Sequence, residues 1–302
     1  MRRMICSMLL ALAVFASDVQ ADARKTLGWG RLFTNDFLGD GDDRWRTGSY
    51  AVSLLRGRIW EGRAPDRIGS LLEYRFRSEI IAPANITAPD SNDRRYVGVL
   101  SLGLHSHFTR GDYDIAAGVD LVVVGQQTGL DEFQGQLHEL LGFPTPNISG
   151  FQVADAVYPT ALAEVSRDIS LGTHRQFRPF LELQAGAETL ARVGADLTIG
   201  SFGENGLMLR DLSSGQLFLG VPGTRQQGTS FVVGGDAALV ADSRYLATPG
   251  IETETSRYRL RAGIHQKWQA GSAFFGVTYL SPEFESQSEG QFIGSINLRF
   301  PF

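Results

Sequence analysis

His138 and Gln134, four residues apart between Gly125 and Gly142, are the pair whose types and spacing best suit acid–base chemistry. On a helix they share one face, and an imidazole beside a carboxamide can take a proton from water or a hydroxyl near neutral pH. Phe133, Leu137, Leu140 and Leu141 recur at helical spacing in the same stretch, which predicts a short amphipathic helix. A helix could also use such a histidine for packing alone. A second stretch, Asn35 to Gly48, gathers Asn35, Asp36, Asp40, Asp42, Asp43 and Thr47 between two strand-like runs. Oxygen-rich loops suit calcium over softer metals. The spacing is not that of an EF-hand, because Ala51 stands where the bidentate glutamate would fall counting from Asp40. An acidic hairpin whose Asp and Gly residues only serve the turn would read the same way.

Other chemistries find no support. There is no HExxH and no other zinc spacing, and no GxSxG elbow. His105, His107, His174 and His265 lie in or beside strand-like runs. The first residues read as an export signal: Arg2 and Arg3, an apolar run from Met4 to Ala16, and a small-x-small site at Val19-Gln20-Ala21. Residues 1–21 are therefore expected to be removed, leaving residues 22–302 as a single domain. The only cysteine, Cys6, falls in that signal, which excludes disulfides and thiol chemistry from the remainder. Net charge is -5 for the chain and -6 without the signal, giving no reason to expect nucleic acid.

What must position these residues is a β-structure. No segment reaches the roughly 18 uninterrupted apolar residues of a spanning helix, yet alternating runs recur throughout. Twelve are expected: 26–36, 47–57, 69–81, 95–109, 112–125, 152–170, 174–188, 190–202, 229–245, 256–268, 271–281 and 291–302. Most reach the about 9–11 residues of a tilted membrane strand. Tyr258, Leu260, Ala262 and Ile264 alternate with Arg257, Arg259, Arg261 and Gly263, and three arginines on one face fit a polar lumen better than a packed core. The chain ends in alternation closing on Phe300 and Phe302, as bacterial outer-membrane barrels do. The fold expected is an all-β, closed antiparallel transmembrane β-barrel of 12 strands, with a short helix in an extracellular loop. Strand parity then puts Asn35–Gly48 and the His138 loop at one, extracellular end. Residues 203–228 are too long for a periplasmic turn, and imply a missed strand pair or an insertion.

Asn35-Asp36, Asp43-Arg44 followed by Thr47, Asp93-Arg94-x-Tyr96, and Gly125 through Gln134 to His138 and Gly142 together resemble the LpxR family of outer-membrane lipid A deacylases. The likeness covers most of the chain after residue 21, including Gly234 to Leu246 and the terminal strand. It implies a twelve-stranded barrel that removes the 3′-acyloxyacyl chain of lipid A in the outer leaflet with calcium (Ca2+). It also implies an active site containing Asn35, Asp36 and Thr47, with His138 as the catalytic histidine. The sequence departs from the pattern at Pro144, which stands where an acidic residue follows the histidine by six positions; Glu139 and Asp155 are the nearest downstream acids.

On that reading calcium sits near Asn35 and Asp36, His138 is the base, and Thr47 and Gln134 position water or substrate. Arg44, Arg46 and Arg94 are expected to hold lipid A phosphates. Asp40, Asp42 and Asp43 fall to the turn. Lipid A of lipopolysaccharide and outer-membrane lipid are the expected partners, and the chain is expected to act as a monomer. Two alternatives stay open: a calcium-dependent outer-membrane phospholipase, and a non-catalytic structural barrel or porin.

Overall fold

The computed structural model describes residues 24–300 apart from 225 and 249, so the export signal and Phe302 lie outside the described residues. Twelve antiparallel strands close into a barrel: β1 (Lys25–Asn35), β2 (Trp45–Gly57), β3 (Leu71–Ala82), β4 (Val97–Arg110), β5 (Tyr113–Val124), β6 (Ala156–Ser166) with its two-residue extension β7 (Ile169–Ser170), β8 (Arg175–Ala185), β9 (Glu188–Ile199), β12 (Gly228–Ser243), β13 (Ser256–Trp268), β14 (Gly271–Leu280) and β15 (Gln291–Arg299). Each pairs with its neighbours, β6 pairs β8, and β1 closes on β15 through Phe33↔Ile296 to Asn35↔Gly294. The twelve strands fall where the alternation puts them, displaced by a few residues at their ends.

The alternation is inverted relative to a soluble core. Tyr258 and Leu260 point outward and are exposed, whereas Arg257, Arg259 and Arg261 between them are buried in the lumen. There Arg261 bridges Asp196 at 2.6 Å and Asp236 at 2.5 Å, and Arg192 reaches Asp236 at 2.6 Å. Charges face a lumen and apolar side chains face out because the surroundings of this wall are hydrocarbon. Among the described residues no helix is long and apolar enough to cross a membrane.

The segment after β9 is an insertion that contains an extra strand pair. β10 (Leu207–Arg210) and β11 (Leu217–Val221) form a separate antiparallel hairpin. Its Leu209, Phe218 and Val221 pack on Leu32 and Leu55 of the barrel. Gly30 makes room, since a Cβ there would meet the Phe218 ring at 2.9 Å. The hairpin rises through the lumen: Arg210 bonds Glu164 and Asp196 at 2.8 and 2.9 Å, and Ser213 at its tip donates to Glu79 at 2.8 Å. Sequence spacing measured the insertion's length and left its direction open. The charges that turn it inward have partners on strands distant in the chain.

Odd-numbered links in the order of the barrel strands gather at one end: 36–44, 83–96, 125–155, 186–187, 244–255 and 281–290. Opposite lie the two-residue turns 111–112 and 269–270, the links 58–70 and 171–174, and the base of the hairpin.

Candidate active site

Asn35 ends β1 and caps a short 3-10 turn, Asp36–Leu38. Its Oδ1 accepts from the Phe37 N–H at 3.0 Å while its Nδ2 donates to the Thr47 carbonyl at 2.9 Å, tying the turn to β2. The Asp36 carboxylate, 2% exposed, accepts from the N–H groups of Phe37 at 2.8 Å and Arg44 at 2.9 Å. That second bond folds 40–44 back over the turn. Burial pushes the Asp36 carboxyl up to about 9, against the pull of the Arg44 and Phe37 N–H groups; the Asp43 and Asp40 charges push the same way as burial.

Where β2 begins, its pairing with β3 slips by one residue between Trp45 and Gly48. Such a bulge reverses which side successive residues face. Trp45 sits at φ 49°, in the left-handed region that favours glycine, and Arg46 turns into the lumen. Thr47 lines an external groove instead. Its Oγ1 is buried and lacks a hydrogen-bond partner of standard geometry.

The predicted helix is α1 (Leu130–Leu141), bounded by Gly129 and Gly142, both in the left-handed region that glycine permits. Only Gln134 and His138 are buried on it. His138 Nε2 lies 3.0 Å from Asp43 Oδ2, and Gln134 Nε2 donates to both oxygens of Asp43 at 3.2 and 3.4 Å. His138 Nδ1 donates to the Pro144 carbonyl at 2.7 Å. Phe143 packs edge-on against the imidazole, centroids 5.8 Å apart. Burial raises the Asp43 carboxyl, while His138 and the Thr47 hydroxyl pull it down.

Asp43 therefore does not belong with the turn. Asp40 and Asp42 do: Asp40 accepts from the Asp42 N–H at 3.4 Å and the Phe292 N–H at 3.2 Å. Asp43, one residue further, passes beneath α1. The Asp43-Arg44 motif held the signal for this, but a run of four aspartates does not reveal which member the chain turns inward.

Arg46 and Arg94 are also placed differently from the phosphate-holding role. Arg46 meets Glu283 at 2.6 Å and Glu79 at 2.8 Å, and Arg94, fully buried, is paired with Glu283. Arg44 spans Glu289 at 2.7 Å and Asp42 at 3.2 Å and stacks over Trp45. None of the three lines the groove. A sequence shows the charges near a rim but not the carboxylates that claim them. Tyr96, whose buried hydroxyl has no partner and whose acidity Asp131 and Asp43 suppress further, is a neighbour of the site with no role assigned by sequence.

The groove holds about 1050 Å³. Phe33, Tyr50 and Ile80 on the outer barrel wall form one side, Ala84–Thr87 another, and α1 the third. His138, Gln134, Asp36, Asp43 and Thr47 meet at it, so the acid–base pair and the oxygen-rich stretch are brought together. Among the described residues no three carboxylate, imidazole or thiolate groups converge to hold a metal by themselves. The oxygens that converge belong to two carboxylates, two amides and a hydroxyl.

A closed barrel with ion pairs and a hairpin inside, apolar side chains outside and a groove at its outer rim defines an integral β-barrel membrane protein. The family described as "Outer membrane protein LpxR" matches residues 4–302, and the chain belongs to that family of bacterial outer-membrane proteins. LpxR from Salmonella typhimurium has the same fold, with a TM-score of 0.75 at 16% identity over 91% of this chain and 100% of that one. The β domain of the Bordetella autotransporter BrkA (TM-score 0.42, 14% identity, 91% and 99% covered) and the porin NanC (0.43, 5%, 91% and 100%) superpose far less well. No curated protein matches the sequence.

Proposed function

We propose that this chain hydrolyses the 3′-linked acyloxyacyl ester of lipid A in the outer leaflet, assisted by calcium, with His138 as general base. The observation that carries the reading is the meeting of His138, Gln134 and Asp43 at an apolar groove outside the barrel. An acyl chain reaches that groove from the leaflet without entering the lumen. Short turns lie at the opposite end, as at the periplasmic face of outer-membrane barrels, which supports an extracellular site. The chain acts as a monomer on this reading. The lumen's ion pairs and hairpin weigh against a porin.

The donor set fits calcium. The Asp36 carboxylate is buried at the groove, Gln134 Oε1 is a buried oxygen without a partner, and the Thr47 hydroxyl makes no hydrogen bond of standard geometry. Hard oxygen donors of this kind suit calcium. Asn35 and Asp36 would hold it, with Asp43 adjacent. When bound, it would supply Lewis acidity to the ester carbonyl.

The chain's own residues do the rest. The Nδ1–H, held on the Pro144 carbonyl, leaves Nε2 as the nitrogen that takes the proton, with water entering between it and the Asp43 oxygen that stands 3.0 Å away. Nε2 takes a proton from water as the water oxygen attacks the ester carbon, and Asp43 stabilises the imidazolium formed. Collapse breaks the acyl carbon–oxygen bond, and the imidazolium returns its proton to the departing sugar oxygen. A free acyloxy fatty acid and a 3′-hydroxyl result. Thr47 and Gln134 position water and carbonyl.

Mass spectrometry of lipid A from cells expressing the chain tests this. Loss of one acyloxyacyl group is expected. Unchanged lipid A with release of lysophospholipid would assign the site to glycerophospholipids, and no change in either would remove the hydrolase.

A further inference from the structure

The two residues that helix α1 buries are polar, and most of its apolar ones are exposed. Gln134 and His138 are 2% and 8% exposed, whereas Phe133, Leu137, Leu140 and Leu141 are exposed, Leu140 to 80%. At 3.6 residues per turn the helix divides into three arcs. Gln134 and His138 occupy the arc over the site. Phe133, Leu137, Leu140 and Leu141 occupy the next, and Glu132, Gln136 and Glu139 the exposed remainder. A single exposed leucine needs no explanation; a contiguous apolar arc does.

The neighbours of that arc say what covers it. Phe37 and Phe143, with ring centroids 6.0 Å apart, continue it toward the barrel. Phe33 and Tyr50, on the outer wall, line the same groove as Phe133 and Leu137, so the arc runs without a break into the lipid-facing surface. Tyr258, Tyr279 and Phe292 pack together on that wall near the same end, where a barrel's aromatic girdle marks the membrane interface. An amphipathic helix at that level, with an exposed apolar arc continuous with the outer wall and its acidic residues on a separate arc, has the pattern of an interfacial helix.

We infer that α1 is a membrane-embedded wall of the groove: its Phe133–Leu137–Leu140–Leu141 arc is seated in the acyl-chain layer around the barrel, with Glu132 and Glu139 in water. This goes beyond the proposed reaction and holds whatever ester, if any, is cleaved. The groove then opens directly into hydrocarbon.

Nitroxide labels on single cysteines test it in the full-length protein with Cys6→Ser, in phosphatidylcholine vesicles. Labels go at Leu140→Cys and Phe133→Cys, with Val119→Cys, outward on mid-β5, as the lipid control and Glu139→Cys as the water control. The ratio of oxygen to nickel-chelate collision rates at 140 and 133 should approach that at 119 and exceed that at 139 several-fold. Values at 140 and 133 equal to that at 139 would overturn the inference. So would dipolar broadening at 140 that unlabelled protein relieves, because a second copy would then cover the arc.

Discussion

The carbonyl of Pro144 accepts the Nδ1–H of His138 at 2.7 Å, and this bond fixes the imidazole tautomer without a carboxylate. A backbone carbonyl is supplied by any residue, so the departure from the family pattern at Pro144 does not leave the histidine unoriented. His138→Gln should therefore cost about 10²–10⁴-fold in release of fatty acid from lipid A. Pro144→Ala keeps the carbonyl and should stay within about threefold of the parent, less than the tenfold that about 1.4 kcal/mol of barrier would make. Loss of activity in Pro144→Ala comparable to that in His138→Gln would show that the ring, not the carbonyl, orients the imidazole.

Asp43 meets His138 Nε2 at 3.0 Å and holds Gln134 through both its oxygens. Asp43→Asn keeps the shape and removes the charge that stabilises an imidazolium. A loss of about 10–100-fold in turnover is expected, by analogy with partners that orient metal-bound histidines. Heat-modifiable gel mobility should not change. The same substitution at Asp42, which belongs to the turn, should leave turnover unaltered.

Asp36 gives a pH signature opposite to that of an ordinary paired carboxylate. Burial raises its folded value to about 9 from an unfolded 3.8, so the folded chain binds the extra proton between those limits. Without a cation, this contribution is complete below about pH 4 and lost as pH rises toward 9. In chelator, the unfolding midpoint in detergent should fall from pH 5 to pH 9, and calcium should restore it at pH 8. Asp36→Asn should flatten the pH dependence and abolish the calcium effect. A parent midpoint insensitive to calcium would detach Asp36 from any cation.

The barrel was readable because its alternation has a period of two and the membrane imposes strand length, so local pattern carries global fold. His138, Gln134 and the Asn35–Gly48 stretch were readable as one site because strand parity alone puts their links at one end. Arg46 was not. Its direction depends on a one-residue slip against β3, and the carboxylate claiming it, Glu283, lies 237 positions away. Asp43 escaped for the same reason, since its partner is on a helix 95 residues later. Long-range pairing decides which charge in a cluster is structural and which is exposed to chemistry.

Glu283 is the hub of the buried charges beneath the site, paired with Arg94, with Arg46 at 2.6 Å and with Arg257 at 3.5 Å. These arginines hold its carboxyl well below the usual range despite burial. Glu283→Ala leaves three buried guanidinium groups short of a carboxylate, so a loss of about 3–5 kcal/mol is expected in urea unfolding from bilayers. Arg94→Lys should leave the KM for lipid A unchanged, because Arg94 does not reach the groove. A raised KM with unchanged stability would return Arg94 to the substrate.

The hairpin β10–β11 closes the lumen by two separate means, and its removal tests both. Leu209 and Phe218 fill the space beside Leu32 and Leu55, while Arg210 neutralises Glu164 and Asp196 at 2.8 and 2.9 Å. Replacing residues 204–223 by a short glycine linker leaves the barrel strands in place, and at the groove it removes the Ser213 bond to Glu79 but none of the contacts of His138. Planar bilayers carrying the deletion variant should then show single-channel conductance absent from the parent. The current should favour cations, since Glu164 and Asp196 lose their shared arginine and carboxylate-lined pores select positive ions. Lipid A hydrolysis should persist, because the imidazole stands outside the lumen. A folded deletion variant that stays silent would mean that the remaining ion pairs block the barrel alone; a conducting one that prefers anions would mean that Arg259 and Arg261, freed from the hairpin tip, set the lumen's field.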